Sequence, residues 1–370
     1  MAVAFELITL KELGSPSEQT TLLGGKLKKT VSFITLIAVA GLAFVAAPAA
    51  NAATTKACLA LDTGGVDDKS FNASAWSGAQ AAQKANSSVT VKYLSAATDA
   101  DYGPNIKKLV DEKCTIIIGV GFLINEAIVA GAKANPTVSF AIVDQDGLAD
   151  GKRLPNLKAI EFSTNESSFQ AGYVAAGVSK TGKVATYGGL NIPPVTIFMD
   201  GFAKGVAHYN KVKDKKVEVL GWDVAKKDGT FVGGFSDSAK ALQISKNFEQ
   251  QGADVIFPVA GGLGGATAGN SLTSKKSVVI WVDTDGYVAA PQYRKVLLTS
   301  VVKGVGTSVR AAIADQAAGK FSNTPYNGNL KNRGTYLAPY HNLIRMVPTP
   351  LRKEVSKLRN DIRSGKISAK

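Results

Sequence analysis

The sequence predicts an α/β fold made of two doubly wound parallel-sheet lobes. Short apolar runs alternate with stretches of helical periodicity from Cys58 onward, and the alternation restarts near residue 163 over a similar length. The chain of 370 residues is also longer than one compact core usually fills. Strands that alternate with helices form βαβ units, which give parallel sheets covered by helices on both faces. Two lobes of this kind are the simplest arrangement for such a chain.

The elements of the first half follow from the spacing of its apolar residues. This spacing predicts strands over 58–62, 89–94, 115–119 and 138–143, and helices over 70–84, 102–112 and 125–133. The first helix has Asp68 or Ser70 near its N-cap. These elements are sufficient for one parallel sheet with its covering helices.

The second half repeats the pattern. It predicts strands over 183–187, 217–222, 254–259, 278–282 and 296–300, and helices over 167–179, 195–210, 238–251 and 302–318. An amphipathic helix over 351–363 ends the chain and is expected to dock by its apolar face. The repeat divides the chain into an extension with a signal peptide (1–52), a first lobe (53–162 plus about 288–333) and a second lobe (163–287 plus about 334–370).

The N-terminal region has the parts of a secretory signal. Three lysines precede an apolar stretch over 31–47, which ends in the small residues Ala50-Asn51-Ala52. This order predicts cleavage after Ala52 and export from the cytoplasm. The alternative is a transmembrane anchor, for which the stretch is short. A lipid anchor is not supported, because the residues before Cys58 are not those of a lipid-accepting site.

The two cysteines, Cys58 and Cys114, fit an exported protein. Cys58 opens the first predicted strand and Cys114 directly precedes the third, and these strands are neighbours in a doubly wound sheet. Both cysteines then lie at the same end of adjacent parallel strands, within reach of a disulfide bond. Two separate buried thiols are the alternative.

The composition excludes several classes of protein. Hydrophobic residues make up 45% and charged residues 19%, which argues against a disordered or fibrous chain. Lysine and arginine number 43 against 29 acidic residues, giving a net charge of +14. The basic residues are scattered among acids, so a soluble basic surface is favoured over nucleic-acid or membrane-surface binding.

The chain lacks the parts of a catalytic or metal site. It has two histidines, His208 and His341, and no metal-ligand, thiol-redox or serine-hydrolase motif. The stretch Gly262-Leu-Gly264-Gly-Ala-Thr267 follows a strand and resembles a dinucleotide fingerprint, but threonine takes the third glycine position. An NAD-dependent oxidoreductase is therefore only an alternative, and the sequence predicts neither enzyme activity nor a cofactor.

Acidic residues recur just beyond the predicted strands. Asp62, Asp144 and Asp283 occupy such positions, where open α/β sheets bind ligands and where carboxylates can accept bonds from vicinal hydroxyls. Phe71 and Phe235 stand in the following loops and are suited to cover a flat ring. The pattern predicts a small, polar, ring-bearing ligand held in a cleft, with a sugar or a signal molecule as the alternative.

Four sequence blocks carry a family resemblance. They are Asp62-Thr-Gly-Gly-Val-Asp-Asp-Lys-Ser-Phe-Asn72, Gly188-Gly-Leu-Asn-Ile-Pro-Pro194 with Phe198-Met-Asp-Gly-Phe202, Gly252-Ala-Asp-Val-Ile-Phe-Pro-Val-Ala-Gly-Gly262, and Thr299-Ser-Val-Val-Lys303. Together they resemble the basic membrane protein (PnrA-like) family, the substrate-binding proteins of nucleoside ABC transporters. The resemblance implies a type I periplasmic-binding fold whose two lobes are joined by three crossovers.

The resemblance also implies roles for individual residues. Phe71 and Phe235 would sandwich a purine base, Asp62 and Asp283 would bind the ribose hydroxyls, and Asp144 would contact the base edge. The remaining ligand-binding residues implied by the family blocks are Asn72, Gly261 and Lys303. The expected partners are a purine nucleoside and a transporter permease, with no nucleic acid and no membrane contact except through the transporter.

Overall fold

Two six-stranded sheets organise the protein. The computed structural model describes residues 54–370, so the signal peptide and cleavage site predicted within residues 1–52 lie outside the described residues. In chain order the strands are β1 (Thr55–Leu61), β2 (Val89–Ser95), β3 (Ile116–Val120), β4 (Ser139–Val143), β5 (Leu148–Ala149), β6 (Lys152–Arg153), β7 (Leu157–Phe162), β8 (Lys183–Gly188), β9 (Glu218–Leu220), β10 (Trp222–Asp223), β11 (Asp228–Gly229), β12 (Val255–Val259), β13 (Val278–Asp283), β14 (Leu297–Lys303), β15 (Tyr326–Gly328) and β16 (Thr335–Leu337).

Helices cover both sheets. They are α1 (Phe71–Ala85), α2 (Tyr102–Asp111), α3 (Asn125–Ala134), α4 (Asn165–Val178), α5 (Pro193–Lys213), α6 (Ser238–Gln250), α7 (Gly264–Ser274), α8 (Gly286–Ala289), α9 (Val305–Ala317) and α10 (Thr349–Arg363). The predicted apolar face of α10 is buried, through Leu351, Val355, Leu358 and Ile362.

The strand orders are those of doubly wound sheets. The first sheet runs β15-β7-β4-β3-β1-β2 with every pair parallel. The second runs β16-β14-β13-β12-β8-β9 and is parallel except for the pair β14–β16. In each sheet the first long strand lies between its two successors, which places the carboxyl ends of the strands beside a crevice. The predicted fold class is confirmed.

The chain passes between the lobes three times, as the resemblance implied. It crosses after Phe162 into α4, after Lys303 into α9, and between Gly328 and Thr335. The sequence assigned residues 288–303 to the first lobe, but β14 pairs with β13 in the second sheet. The sequence pattern suggested that a helix begins at residue 302. In the structure, β14 continues as a buried strand through Val301, Val302 and Lys303, and the chain crosses to the first lobe only after Lys303.

Two strands of the first sheet, β7 and the short edge strand β15, were not predicted. β7 carries Lys158 and Glu161 among its apolar residues, and Glu161 is exposed. The strand lies next to the short edge strand β15, so part of its length reaches solvent and the apolar run is interrupted. Because charged residues interrupt it, the apolar run of β7 shows no clear strand periodicity, and the sequence did not indicate a strand there.

A close helix pair fixes the start of the second lobe. α4 is buried along most of its length and packs against α5. A Cβ added to Gly172 would lie 1.9 Å from the Phe202 carbonyl oxygen, and one added to Gly205 would lie 2.0 Å from the Phe169 carbonyl oxygen. Because neither glycine has a side chain, the backbones of α4 and α5 can approach closely. A side chain at either position would collide with the facing carbonyl oxygen.

The predicted disulfide bond is present between Cys58 and Cys114. Their Cα atoms are 6.0 Å apart, and β1 and β3 are direct neighbours in the sheet. Both side chains are buried. The disulfide bond predicted from the sequence is therefore confirmed.

Candidate ligand-binding site

A cleft lies at the carboxyl ends of the strands of both sheets. It encloses about 710 Å³ between protein atoms, including solvent at its mouth. All eight residues assigned to ligand binding from the sequence line it: Asp62, Phe71, Asn72, Asp144, Phe235, Gly261, Asp283 and Lys303. The first four belong to the first lobe and the last four to the second. The structure brings these residues together, while their contacts with a ligand stay a prediction.

Asp62 follows β1 and is fixed by the turn that leads into α1. Its Oδ1 accepts hydrogen bonds from Asn72 Nδ2 (2.6 Å) and from the Gly64 backbone N–H (3.0 Å). Within residues 54–370 no donor reaches Oδ2. A Cβ at Gly121 would lie 2.9 Å from this oxygen, so the glycine leaves the space beside it open. Asp62 is therefore held in place through Oδ1, while Oδ2 has no donor from residues 54–370.

Lys303 ends β14 and forms an ion pair across the cleft. Its Nζ lies 2.5 Å from Asp144 Oδ2, and the side chains of the pair are only 3% and 8% exposed. The ammonium also lies 4.8 Å from the ring centroid of Phe71 and 5.6 Å from that of Phe198. The carboxylate and the rings offset the desolvation of the ammonium. Since Asp144 belongs to the first lobe and Lys303 to the second, the pair joins the lobes.

A three-part contact between the lobes, here called the clasp, lies beside the cleft. It joins residues 68–70 of the first lobe to residues 282–284 and Gly262 of the second. The Ser70 hydroxyl donates to Asp283 Oδ2 (2.8 Å), and the Thr284 hydroxyl donates to the Lys69 carbonyl oxygen (2.8 Å). A Cβ at Gly262 would lie 2.8 Å from the carbonyl oxygen of Asp68. The first-lobe residues that directly precede α1 are therefore in contact with the second lobe.

Two of the strand-end aspartates have left-handed backbone conformations. Asp144 has φ 71° and Asp283 has φ 66°. Such conformations cost roughly 1–2 kcal/mol for an ordinary residue, and aspartate tolerates them better than most. Each of the two carboxylates uses one oxygen within the described residues, Oδ2 in both cases. Their Oδ1 atoms, like Oδ2 of Asp62, have no donor from residues 54–370.

One aromatic ring of the predicted pair stands on each lobe. Phe71 begins α1 of the first lobe, and Phe235 lies in the loop between β11 and α6 of the second. Phe235 packs against Gly189, where a Cβ would lie 2.2 Å from the ring. Rings on opposite lobes are what stacking on both faces of a flat ligand requires.

Burial raises the pKa of four carboxyl groups in the cleft. Asp62 and Asp144 have raised pKa values, although the charge and hydrogen bond of Lys303 act against the rise at Asp144. Burial raises the pKa of Asp283 to about 6, against the charge of Lys303 and the hydrogen bond from Ser70. It also raises the pKa of Asp68 to about 6, against three backbone N–H donors at the start of α1.

Several cleft residues were not identified from the sequence. Those with large or charged side chains are Asp68, Tyr102, Phe122, Leu123, Ile192 and Phe198. Phe122 lies just beyond β3, and the rule that ligands bind beyond strand ends points to it. Tyr102 and Phe198 lie within helical patterns, where an apolar residue is normally explained by packing. Asp68 was considered only as a helix cap, a role it does fill by accepting from the backbone of Ser70, Asn72 and Ala73.

Within the described residues there is neither a metal-binding cluster nor a membrane-spanning helix. No group of three or more histidine, cysteine or acidic side chains in residues 54–370 is placed to hold a metal ion. Among the helices of that same part of the chain, none has the length and apolar character needed to cross a bilayer.

Comparison with known proteins identifies a matching family model and several similar proteins. The Bmp family model, described as ABC transporter substrate-binding protein PnrA-like, matches residues 56–334. The chain is 31% identical over 368 residues to the ABC transporter nucleoside-binding protein BmpA of Lactococcus lactis subsp. cremoris, covering 92% of this chain and 99% of the relative. It is 34% identical over 276 residues to the CD4+ T-cell-stimulating antigen of Listeria monocytogenes, covering 70% and 73%.

A solved structure of an ABC transporter solute-binding protein from Aeropyrum pernix K1 has a similar fold. Its TM-score is 0.74 at 24% identity, covering 85% of this chain and 92% of that chain. Two doubly wound lobes with three crossovers around a cleft are the type I periplasmic-binding fold, and the matching family model describes substrate-binding proteins of ABC transporters. The chain belongs to the PnrA-like family of ABC transporter substrate-binding proteins.

Proposed function

We propose that this protein captures purine nucleosides outside the cytoplasm and delivers them to an ABC-transporter permease for import. The observation that carries the proposal is the set of three strand-end carboxylates, Asp62, Asp144 and Asp283. Each is fixed by a donor yet keeps one oxygen without a donor from residues 54–370. Ribose offers vicinal hydroxyl donors, and an ionised carboxylate is a strong acceptor for them. The relative from Lactococcus lactis is described as nucleoside-binding, which supports the same ligand class.

The base is proposed to stack between Phe71 and Phe235, with Asp144 at its edge. Stacking contributes roughly 1–3 kcal/mol per base and does not depend on the identity of the base. The preference for purines therefore rests on edge contacts, for which Asp144 Oδ1 is the available acceptor. Asn72 is buried and its Oδ1 has no partner, so it can accept one further donor from the ligand.

The charge of the cleft favours nucleosides over nucleotides. Four aspartates line it, and Lys303 is already paired with Asp144. A phosphate would add negative charge close to buried carboxylates without an unpaired cation to accept it, which is costly in a site of low dielectric.

Calorimetry with a panel of ligands tests the proposal. The panel comprises inosine, adenosine, uridine, adenine, ribose, adenosine monophosphate and nicotinamide adenine dinucleotide. We expect tight binding of inosine or adenosine, weaker binding of uridine and free adenine, and no binding of ribose or the two phosphorylated compounds. Tight ribose binding would instead identify a sugar receptor, and dinucleotide binding would revive the oxidoreductase alternative.

Asp62 and Phe71 are expected to have separable effects on binding. Phe71→Ala removes one stacking face and should weaken nucleosides and free base alike, by about ten- to a hundredfold. Asp62→Ala should weaken nucleosides on a similar scale by removing charge-assisted hydrogen bonds, and should leave free-base binding nearly unchanged. Phe71→Leu and Asp62→Asn are the matched controls for volume and shape. Equal losses for base and nucleoside in a folded Asp62→Ala protein would refute the ribose role.

Nucleoside affinity is expected to fall about tenfold between pH 7 and pH 5. The pKa of Asp283 is about 6 in the free protein, and the ribose hydroxyl favours its ionised form, so below pH 6 the ligand must displace a proton. Titration calorimetry at both pH values measures the change, and Asp283→Asn should abolish it.

Folding stability should fall as the pH rises, whereas the nucleoside affinity should increase. Because the folded pKa values of Asp68 and Asp283 are raised, the folded state binds more protons than the unfolded state between about pH 4 and pH 6. The stability from these groups is present at low pH and is lost as the pH rises through 6. An affinity loss at pH 5 that coincided with unfolding would contradict this account.

Export is part of the proposal and rests on the signal pattern of residues 26–52. Mass spectrometry of protein secreted by a bacterial host should find Ala53 as the N-terminus. An intact N-terminus on secreted protein, or a lipid mass on Cys58, would contradict the proposed processing.

A further inference from the structure

The C-terminal region concentrates the positive charge of the protein. Residues 345–370 contain eight basic residues and two acidic ones, and half of the chain's eight arginines lie between 345 and 363. Helix α10 occupies most of this region and buries its apolar face in the core of the second lobe, where it packs against α4. Its charged side chains therefore lie on the outer surface of that lobe.

Charges around α10 are segregated by type. Arg352, Arg359 and Arg363 occupy positions i, i+7 and i+11, which fall within about 40° of one another around a helix. We call these three residues the arginine row. Glu354 and Asp361 lie on the opposite flank, where Glu354 pairs with Lys213 of α5 and Asp361 pairs with Lys357. The acids of the helix are thus neutralised by lysines, away from the row.

Within residues 54–370 the arginine row has no anionic partner. Among residues 54–370, the ion pairs involve lysines and one histidine and never an arginine. Arg352 donates to the Thr349 hydroxyl (2.6 Å) and Arg359 to the Ser356 hydroxyl (3.4 Å), which uses few of their N–H groups. The Nε of Arg352 is buried without a partner in the same part of the chain.

A neighbouring tyrosine helps to define the surface. The pKa of Tyr340 is raised to about 12 by burial, and the positive charges of Arg352 and Arg359 act against that rise. Arg352 and Arg359 lie about two turns apart on the same side of α10. Arg363 extends the row along α10, over a length of about 16 Å from Arg352.

We propose that the arginine row docks the protein on an anionic phospholipid bilayer through lipid phosphodiester groups. Guanidinium groups bind phosphate oxygens with two parallel hydrogen bonds, so a row of unpaired arginines is complementary to a layer of phosphates. A bilayer is the favoured source of phosphate because the family serves a membrane transporter, so the protein works beside a membrane. The apolar face of α10 is already used in the core, so the contact is electrostatic and reversible.

Docking by the row leaves the cleft accessible. No residue of α10 lines the cleft. Nucleoside affinity should therefore be the same with and without vesicles, and this separates failure of the docking proposal from failure of the proposed function.

Vesicle co-flotation of the full chain tests the proposal. The wild type should bind vesicles of phosphatidylglycerol and phosphatidylcholine in equal parts, bind poorly to phosphatidylcholine alone, and be released by high salt. Replacing all three arginines of the row with glutamine should weaken binding about a hundredfold, at about one kcal/mol for each basic residue. The matched control replaces three lysines of the same region: Lys353→Gln, Lys357→Gln and Lys366→Gln. This triple variant removes the same charge and should weaken vesicle binding by less than about tenfold.

Three outcomes would overturn the proposal. They are absence of wild-type binding to the anionic vesicles, equal losses for the arginine and lysine triples, and binding to soluble poly(glycerol phosphate) without binding to vesicles. The last result would identify a wall polymer as the phosphate source. Thermal unfolding and nucleoside calorimetry establish that each triple variant is folded.

Discussion

Replacing Lys303 with methionine is expected to lower the free energy of unfolding by about 3–5 kcal/mol. The change leaves the Asp144 carboxylate buried without its partner, since the two side chains are 8% and 3% exposed and paired with each other. Burial already raises the pKa of Asp144, and the charge and hydrogen bond of Lys303 act against that rise. Chemical denaturation at pH 7 measures the loss.

A second substitution tests the mechanism of that loss. Asp144→Asn added to Lys303→Met removes the unpaired charge and should recover most of the stability. Lys107→Met is the matched control, because Lys107 pairs with Asp111 on the surface and its removal should cost less than about 0.5 kcal/mol. If the double variant were no more stable than Lys303→Met, burial of an unpaired charge would not be the cause.

Removing the disulfide bond should also be strongly destabilising. The bond closes a loop with a sequence separation of 56, for which the chain-entropy model gives about 4 kcal/mol. Denaturation of the Cys58→Ala, Cys114→Ala double variant is expected to show that loss, and wild type measured in reductant should show a similar one.

Ligand binding should be little affected by the same double variant. The bond joins β1 to Cys114, two residues before β3, and Asp62 lies beyond the carboxyl end of β1. Calorimetry at a temperature at which both proteins are folded should give similar nucleoside affinities. A large loss of affinity in the folded double variant would show that the bond also shapes the cleft.

The three strand-end aspartates could be found from the sequence because their position follows from topology alone. Once alternating strands and helices predict a parallel sheet, every residue just beyond a strand is placed at one edge. Cys58 and Cys114 likewise lie on neighbouring strands of one sheet. These positions depend on the topology of a single sheet and not on how the lobes meet.

Features that depend on both lobes could not be predicted in this way. The pairing of Lys303 with Asp144 requires β14 to belong to the second sheet, and the sequence pattern ended that strand three residues early. The contacts of Ser70 depend equally on the relation between the lobes, since its hydroxyl satisfies an acceptor more than two hundred residues away. Local periodicity contains no information on such a pairing.

The clasp has a consequence for the speed of ligand exchange. Residues 62–72 contain the carboxylate and ring proposed to hold the ligand, and they also contain the first-lobe half of the clasp. We expect a ligand that both lobes enclose to leave only after this segment separates from residues 282–284. The opening rate of the clasp would then set an upper limit to the dissociation rate, the same for every ligand that is enclosed in this way. A permease that pulls these two segments apart would shorten the residence time of the ligand without contacting the ligand itself.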